Sequence, residues 1–130
     1  MASKVLDELR YSKEHEWARR DGGRVVVGVT DHAQAHLGDV VFVELPSVGR
    51  AVEAGKPVAA VESVKAASDV FAPVRGKVVE VNAGLAEHPE WVNQDPYGKG
   101  WFYALEIGDG ADADWKTLLD AAAYRAHVAE

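Results

Sequence analysis

Cysteine is absent from this 130-residue sequence, which excludes a structural disulfide, a thiolate zinc site and a cysteine nucleophile. Any sulfur chemistry has to come from elsewhere. Basic residues are the minority, 14 Lys and Arg against 21 Asp and Glu, for a formal net charge of −7. Scattered as they are, they make no stripe that could track phosphates, so nucleic-acid binding is not expected; the acidic balance suits electropositive partners. Long apolar runs are missing too. Nothing approaches the ~18 residues of a membrane span, and Met1-Ala2-Ser3-Lys4-Val5-Leu6-Asp7 lacks the apolar stretch of a signal peptide. The expectation is a cytoplasmic protein, or the processed matrix form of a mitochondrial one, with no membrane partner.

The length suits a single domain over residues 1–130 with one core. Short valine-rich runs punctuated by Gly, Pro, Asn and Asp dominate the middle of the chain, the pattern of a mainly β sandwich or flattened barrel. Expected strands are Arg24 to Val29, Val40 to Leu45, Pro57 to Ser63, Ser68 to Ala72, Lys77 to Asn82 and Trp101 to Ile107. Thr30 or Asp31 can cap a short peripheral helix that runs through Leu37 and stops at Gly38. A longer C-terminal helix is expected over residues 112–128, with Leu118, Leu119, Ala122, Ala123 and Ala126 near a 3.6-residue period, covering one end of the β core. Residues 1–10 read as an N-terminal extension. A faint internal echo relates Val40 to Glu62 with Val78 to Glu106, consistent with two similar halves.

The informative segment is Val58 to Pro73. Two strand-like arms meet around Lys65 with no Gly or Pro between them, which puts Lys65 at or near a hairpin tip. Its neighbours Ser63, Ala66, Ala67 and Ser68 are small, so a modifying enzyme could grip both arms. Acylated, a lysine becomes a neutral amide on a long flexible tether. Taken alone, a lysine is most often a solvated surface charge.

Glu62-Ser63-Val64-Lys65-Ala66-Ala67-Ser68-Asp69 resembles the lipoylation segment of the glycine cleavage system H proteins. The resemblance continues, in order, through Tyr11 to Trp17, Val29 to Gln34, Leu37 to Pro46, Ala72 to Asn82 and Val92 to Trp101, and is loose in the first ten residues and after about Ile107. Biotin carriers typically flank their lysine with methionine, where this sequence has Val64 and Ala66. Lipoyl domains of the 2-oxoacid dehydrogenases lack the Glu-His-Glu-Trp opening. A phosphopantetheine carrier would need a serine at a helix start, and Ser63 lies in an expected strand.

The resemblance implies a fold of the biotinyl/lipoyl-carrier type and a non-catalytic carrier whose lipoic acid is attached to Lys65. It implies partners that do the chemistry: a pyridoxal-phosphate glycine decarboxylase, a tetrahydrofolate-dependent aminomethyltransferase, a flavin dihydrolipoyl dehydrogenase and a lipoyl-attaching enzyme. The loaded arm needs shelter from water in a groove that accepts an ammonium, for which carboxylates and hydrogen-bond acceptors are suited. The resemblance names Glu14, Glu16, His36 and Asp69 as that groove. Read without it, Glu14 and Glu16 alternate as an exposed edge strand would, and Asp69 bonds local backbone. His32 and His36 share a helix face, but no third ligand is evident nearby, so no metal is expected. Arg19 stands where a metalloprotease motif would need its second histidine after His15-Glu16.

Beside the shuttle and a purely structural interaction domain with an unmodified Lys65, two other readings stand. One is a relay that donates its lipoyl group to 2-oxoacid dehydrogenases. The other is a small acid–base enzyme built from Glu14, Glu16, His36 and Asp69; it lacks a nucleophile motif, a phosphate loop and a metal set.

Overall fold

Strands form where valines alternate or run together, because a β-branched side chain packs well on a pleated surface. The computed structural model describes residues 4–129. In chain order the elements are β1 (Arg10–Tyr11), β2 (Glu16–Asp21), β3 (Arg24–Val29), α1 (Asp31–Leu37), β4 (Val40–Glu44), β5 (Ala51–Val52), β6 (Pro57–Ser63), β7 (Ala67–Phe71), β8 (Gly76–Val81), α2 (Trp91–Gln94), β9 (Tyr103–Glu106), α3 (Ala111–Thr117) and α4 (Ala121–Val128), with a 3₁₀ turn at Ala83–Ala86. β3 and β6 have the expected bounds, and the other expected strands differ by one or two residues.

The strands make an open sandwich rather than a closed barrel. One sheet has the order β1-β2-β3-β9-β8-β5, the other β4-β6-β7. All neighbours are antiparallel. The two segments of the internal echo each form an antiparallel pair with a register shift, between Val40 and Phe42 in β4–β6 and between Val78 and Glu80 in β8–β9. Val25, Val27, Val61, Val70, Val78 and Leu105 are buried between the sheets, each side chain contributing about 1.5–3 kcal/mol.

β2 is not among the expected strands, since Arg19-Arg20-Asp21 at its end break the apolar pattern and are exposed. It is held by its register. Trp17 faces Gly28 across the ladder, is fully buried, and donates its indole N–H to the Pro96 carbonyl at 2.9 Å. Gly28 therefore has a packing role: a Cβ there would lie 2.6 Å from the Trp17 ring.

α1 is capped as expected. The Thr30 hydroxyl accepts from the Ala33 N–H, and Gly38 closes the C-terminus at φ 74°. The C-terminal helix departs from expectation, for it is two helices, α3 and α4. At Leu118 the backbone turns extended (ψ 152°), and Leu119 exchanges two 2.8 Å backbone hydrogen bonds with Tyr11. Those bonds satisfy the open edge of β1, which a continuous helix would leave unpaired. Asp120 then starts α4 by accepting from the Ala123 N–H. Of the N-terminal extension expected at residues 1–10, residues 1–3 lie outside the described residues, Leu9 is buried and Arg10 already belongs to β1. Among the described residues no helix is long and apolar enough to cross a membrane.

Gly28→Ala is expected to lower stability by about 2 kcal/mol or more through overpacking against Trp17. Urea denaturation followed by tryptophan fluorescence checks this, and an unchanged midpoint would contradict it.

Candidate functional site

Antiparallel pairing of β6 with β7 runs up to Glu62 opposite Ala67, and the Ser63 N–H donates to the Ala66 carbonyl at 2.8 Å. Val64 and Lys65 are thus the two tip residues. Two-residue hairpin tips usually need left-handed backbone. Here neither has it, since among the described residues His15 is the one non-glycine with positive φ. The serine hydroxyl supplies the turn instead, accepting from the N–H groups of Lys65 (3.2 Å) and Ala66 (3.1 Å). The Val64 N–H donates to the Asp39 carbonyl at 3.0 Å, fastening the tip to the link between α1 and β4.

Lys65 is exposed. Its stem passes over Gly38, where a Cβ would lie 3.3 Å from the lysine Cε. Gly38 is needed twice, for its left-handed backbone and for the room it leaves the lysine.

Beside the tip lies a groove of about 340 Å³ between α1, β7 and the chain around His15. Val29, Val61 and Val70 give it an apolar floor, Ala33, His36 and Leu37 form one wall, and Ala66 through Asp69 extend it to the residue after Lys65. The structure brings Glu14, Glu16, His36 and Asp69 into this one groove. Glu14, His36 and Asp69 are exposed at its rim.

Glu16 differs from the edge-strand reading. It is 2% exposed, in an inner strand of its sheet, and Ser12 Oγ donates to its Oε1 at 2.5 Å while the Phe71 N–H donates to its Oε2 at 3.2 Å. Burial pushes its carboxyl up to about 7, against the lowering effect of those two hydrogen bonds.

A line of imidazoles borders the groove. The rings of His36 and His32 are 4.4 Å apart, those of His32 and His15 4.6 Å, and those of His15 and His127 5.5 Å. Burial, then the neighbouring imidazoles, lowers His15 to about 4 and His32 in the same direction. The tertiary fold therefore does supply further histidines near His32 and His36. Even so, among the described residues no group of three or more His, Asp or Glu is arranged to hold a metal.

This geometry can be set against known proteins. The family model described as Glycine cleavage H-protein matches residues 9–130. The chain belongs to the glycine cleavage H-protein family. It is 59% identical over 115 residues to a glycine cleavage system H protein of Thermus thermophilus, covering 88% of each chain. It is 53% identical over 126 residues to that of Anaeromyxobacter sp. strain K, covering 97% of each. A crystal structure of a glycine cleavage system H protein from Mycobacterium marinum superposes with a TM-score of 0.84 at 37% identity, over 97% of this chain and all of that one.

Within this H-protein fold the motif residues divide by face. Glu62 points to the outer face of its sheet, opposite Phe42 and Ala67. Val64 is 68% exposed at the tip, and Ala66 lines the groove. Sequence reasoning had Ser12 and His15 only as members of a family motif, Gly38 only as the stop of α1, and Ser63 as a small residue of the lipoylation segment, with no role for its hydroxyl. A turn with neither Gly nor Pro, but with a serine at its first position, was the signal available for Ser63.

The raised carboxyl of Glu16 gives a signed expectation. Its neutral form stabilises the fold fully below about 4.5, and that stability is lost as pH rises through about 7. Glu16→Gln is expected to gain on wild type between pH 5 and pH 8.5, by on the order of 2 kcal/mol. Urea denaturation at the two pH values checks this, and parallel losses in both proteins would refute it.

Proposed function

We propose that this chain is the lipoyl-carrying shuttle of a glycine cleavage system, with lipoic acid joined by an amide to Lys65 Nζ, and that it is not itself a catalyst. The observation that carries the reading is the placement of an exposed lysine on a hairpin tip at the end of a groove that gathers Glu14, Glu16, His36 and Asp69. Among the described residues Lys65 makes no ion pair and no side-chain hydrogen bond, so its amine is free for acylation. The small Ala66 and Ala67 leave the tip open to a lipoyl-attaching enzyme.

When bound, the lipoyl group supplies a redox-active dithiolane able to carry the aminomethyl unit. The chain's own residues supply delivery and shelter. On a tether anchored at Lys65, cargo reaches each partner at high effective concentration. Val29, Val61 and Val70 offer apolar surface to a hydrocarbon arm. Glu14 and Asp69 place carboxylates at the rim to receive an ammonium, Glu16 lies beneath them, and His36 adds a ring nitrogen.

The partners in this reading are the pyridoxal-phosphate glycine decarboxylase that loads the arm, the tetrahydrofolate-dependent aminomethyltransferase that unloads it, and the FAD-containing dihydrolipoyl dehydrogenase that reoxidises it. The setting is the cytoplasm. The acidic balance of the chain suits docking against basic rims on these enzymes.

The test is the intact mass of wild type and of Lys65→Ala, each expressed with a lipoyl-attaching enzyme and lipoate. The expected result is one lipoyl increment on wild type and none on the variant. Lys65→Arg is expected to lose glycine cleavage completely in the reconstituted system, since a guanidinium is not acylated in this way. Wild type left unmodified while a control lipoyl domain is modified would sink the proposal.

A further inference from the structure

Covering one end of the β core does not account for what α4 touches. Tyr124, near the middle of α4, is fully buried, with its ring stacked on Tyr11 at 4.4 Å and 9°. Its hydroxyl lies 2.7 Å from Thr30 Oγ1 and 2.8 Å from His15 Nδ1. Thr30 caps α1, the wall that bears Ala33 and His36. His15 stands between Glu14 and Glu16 on the opposite wall. One hydroxyl therefore touches both sides of the groove.

The wall it holds is a constrained one. His15 has φ 74°, a backbone that a non-glycine residue keeps when its surroundings fix it. The Thr30 N–H donates to the His15 carbonyl at 3.0 Å. At the end of α4, His127 Nε2 lies 3.0 Å from the Lys13 carbonyl and its ring lies against His15. Helix α4 thus grips residues 13–15 at two points.

We propose that Tyr124 is a positioning residue of the groove: its hydroxyl clamps the His15 wall to the α1 wall, and the imidazole stack makes this clamp, and hence retention of the arm, dependent on protonation. The inference rests on the lipoyl-arm reading of the groove. Around His15 are His32 and His36 of α1, with Asp31 acting on His32, Tyr124 and His127 of α4 with Arg125 turned to Asp7, Lys13, Glu14 and Glu16 of its own segment, and Asp69 across the groove. A charge on His15 makes Nδ1–H the donor to the Tyr124 oxygen and turns the hydroxyl toward Thr30 Oγ1, and it sets His15 against the imidazoles stacked on it, whose like charges would strain the clamp. The clamp is therefore unstrained above about 6.5, where His15 is neutral, and is opposed by like-charge repulsion within the stack as pH falls through about 4.

Tyr124→Phe removes the hydroxyl and keeps the ring, and His127→Gln removes the second grip. Two readouts apply to each. In the unmodified protein, NMR titration of the histidines is expected to show the His15 midpoint rising toward 6.5 in Tyr124→Phe. In lipoylated protein loaded with glycine and the decarboxylase, then freed of that enzyme, the loaded species is expected to decay roughly 2- to 10-fold faster in Tyr124→Phe, the range of one lost hydrogen bond. Its decay should also accelerate at a higher pH than in wild type. The lipoyl increment on Lys65, read by mass, is expected to be unchanged, which separates this inference from the carrier reading: a missing increment in wild type ends both. A wild-type His15 midpoint and a wild-type decay profile in both variants would overturn the clamp alone. Should Tyr124→Phe fail to fold, the half-buried His127→Gln decides by the same two readouts. If zinc binds wild type stoichiometrically and moves three of the histidine signals together, the stack is a metal site and the proton-dependent clamp is wrong.

Discussion

Phe71 ends β7, an edge strand of the smaller sheet, and its N–H donates to a carboxyl group that belongs to the other sheet. That carboxyl, on Glu16, also holds Ser12, whose hydroxyl donates to Oε1 and accepts from the Glu16 N–H. Through this one side chain the strand that follows the Lys65 tip is tied to β2. The groove exists because the two sheets are held together at this point and stay apart beside it. A carboxyl in so dry a place is costly to ionise, and the two hydrogen bonds it accepts, which favour the charged form, offset only part of that cost. Above it, Glu14 and Asp69 are exposed at the rim of the groove.

The tip and the groove are set by different means. Hairpin pairing alone would leave the Val64–Lys65 turn free to move as a unit. Two contacts remove that freedom: the Ser63 hydroxyl under the Lys65 and Ala66 N–H groups, and the Asp39 carbonyl on the Val64 N–H. Neither restrains the lysine side chain. A rigid base under a free amine suits the tether proposed for Lys65, because the reach of such an arm would be defined while its head stayed mobile. Gly38 completes the arrangement by ending α1 and clearing the path of the stem.

The helices serve the groove as much as the core. α1 forms a wall, capped by a threonine whose hydroxyl also meets Tyr124. α3 and α4 are separated because the edge of β1 takes up the backbone of Leu119. Had they formed one rod, α4 would point elsewhere and Tyr124 would not reach His15. Satisfying a sheet edge thus decides where a helix ends and what it touches.

The sequence by itself determined the strands that are rich in valine, the cap and stop of α1, and the tip position of Lys65, because each follows from local propensity and spacing. Family motifs carried the choice of Glu14, Glu16, His36 and Asp69, which the groove gathers. Tertiary structure alone decided the rest. That Glu16 is buried and Glu14 exposed, two residues apart, depends on Phe71, 55 positions away. That His15 meets Tyr124 depends on a contact across 109 positions. The division of the C-terminal helix depends on β1. Helical period made Leu118 and Leu119 look continuous with Ala122, and no local signal records that a distant strand edge offers their backbone better hydrogen bonds than another turn of helix.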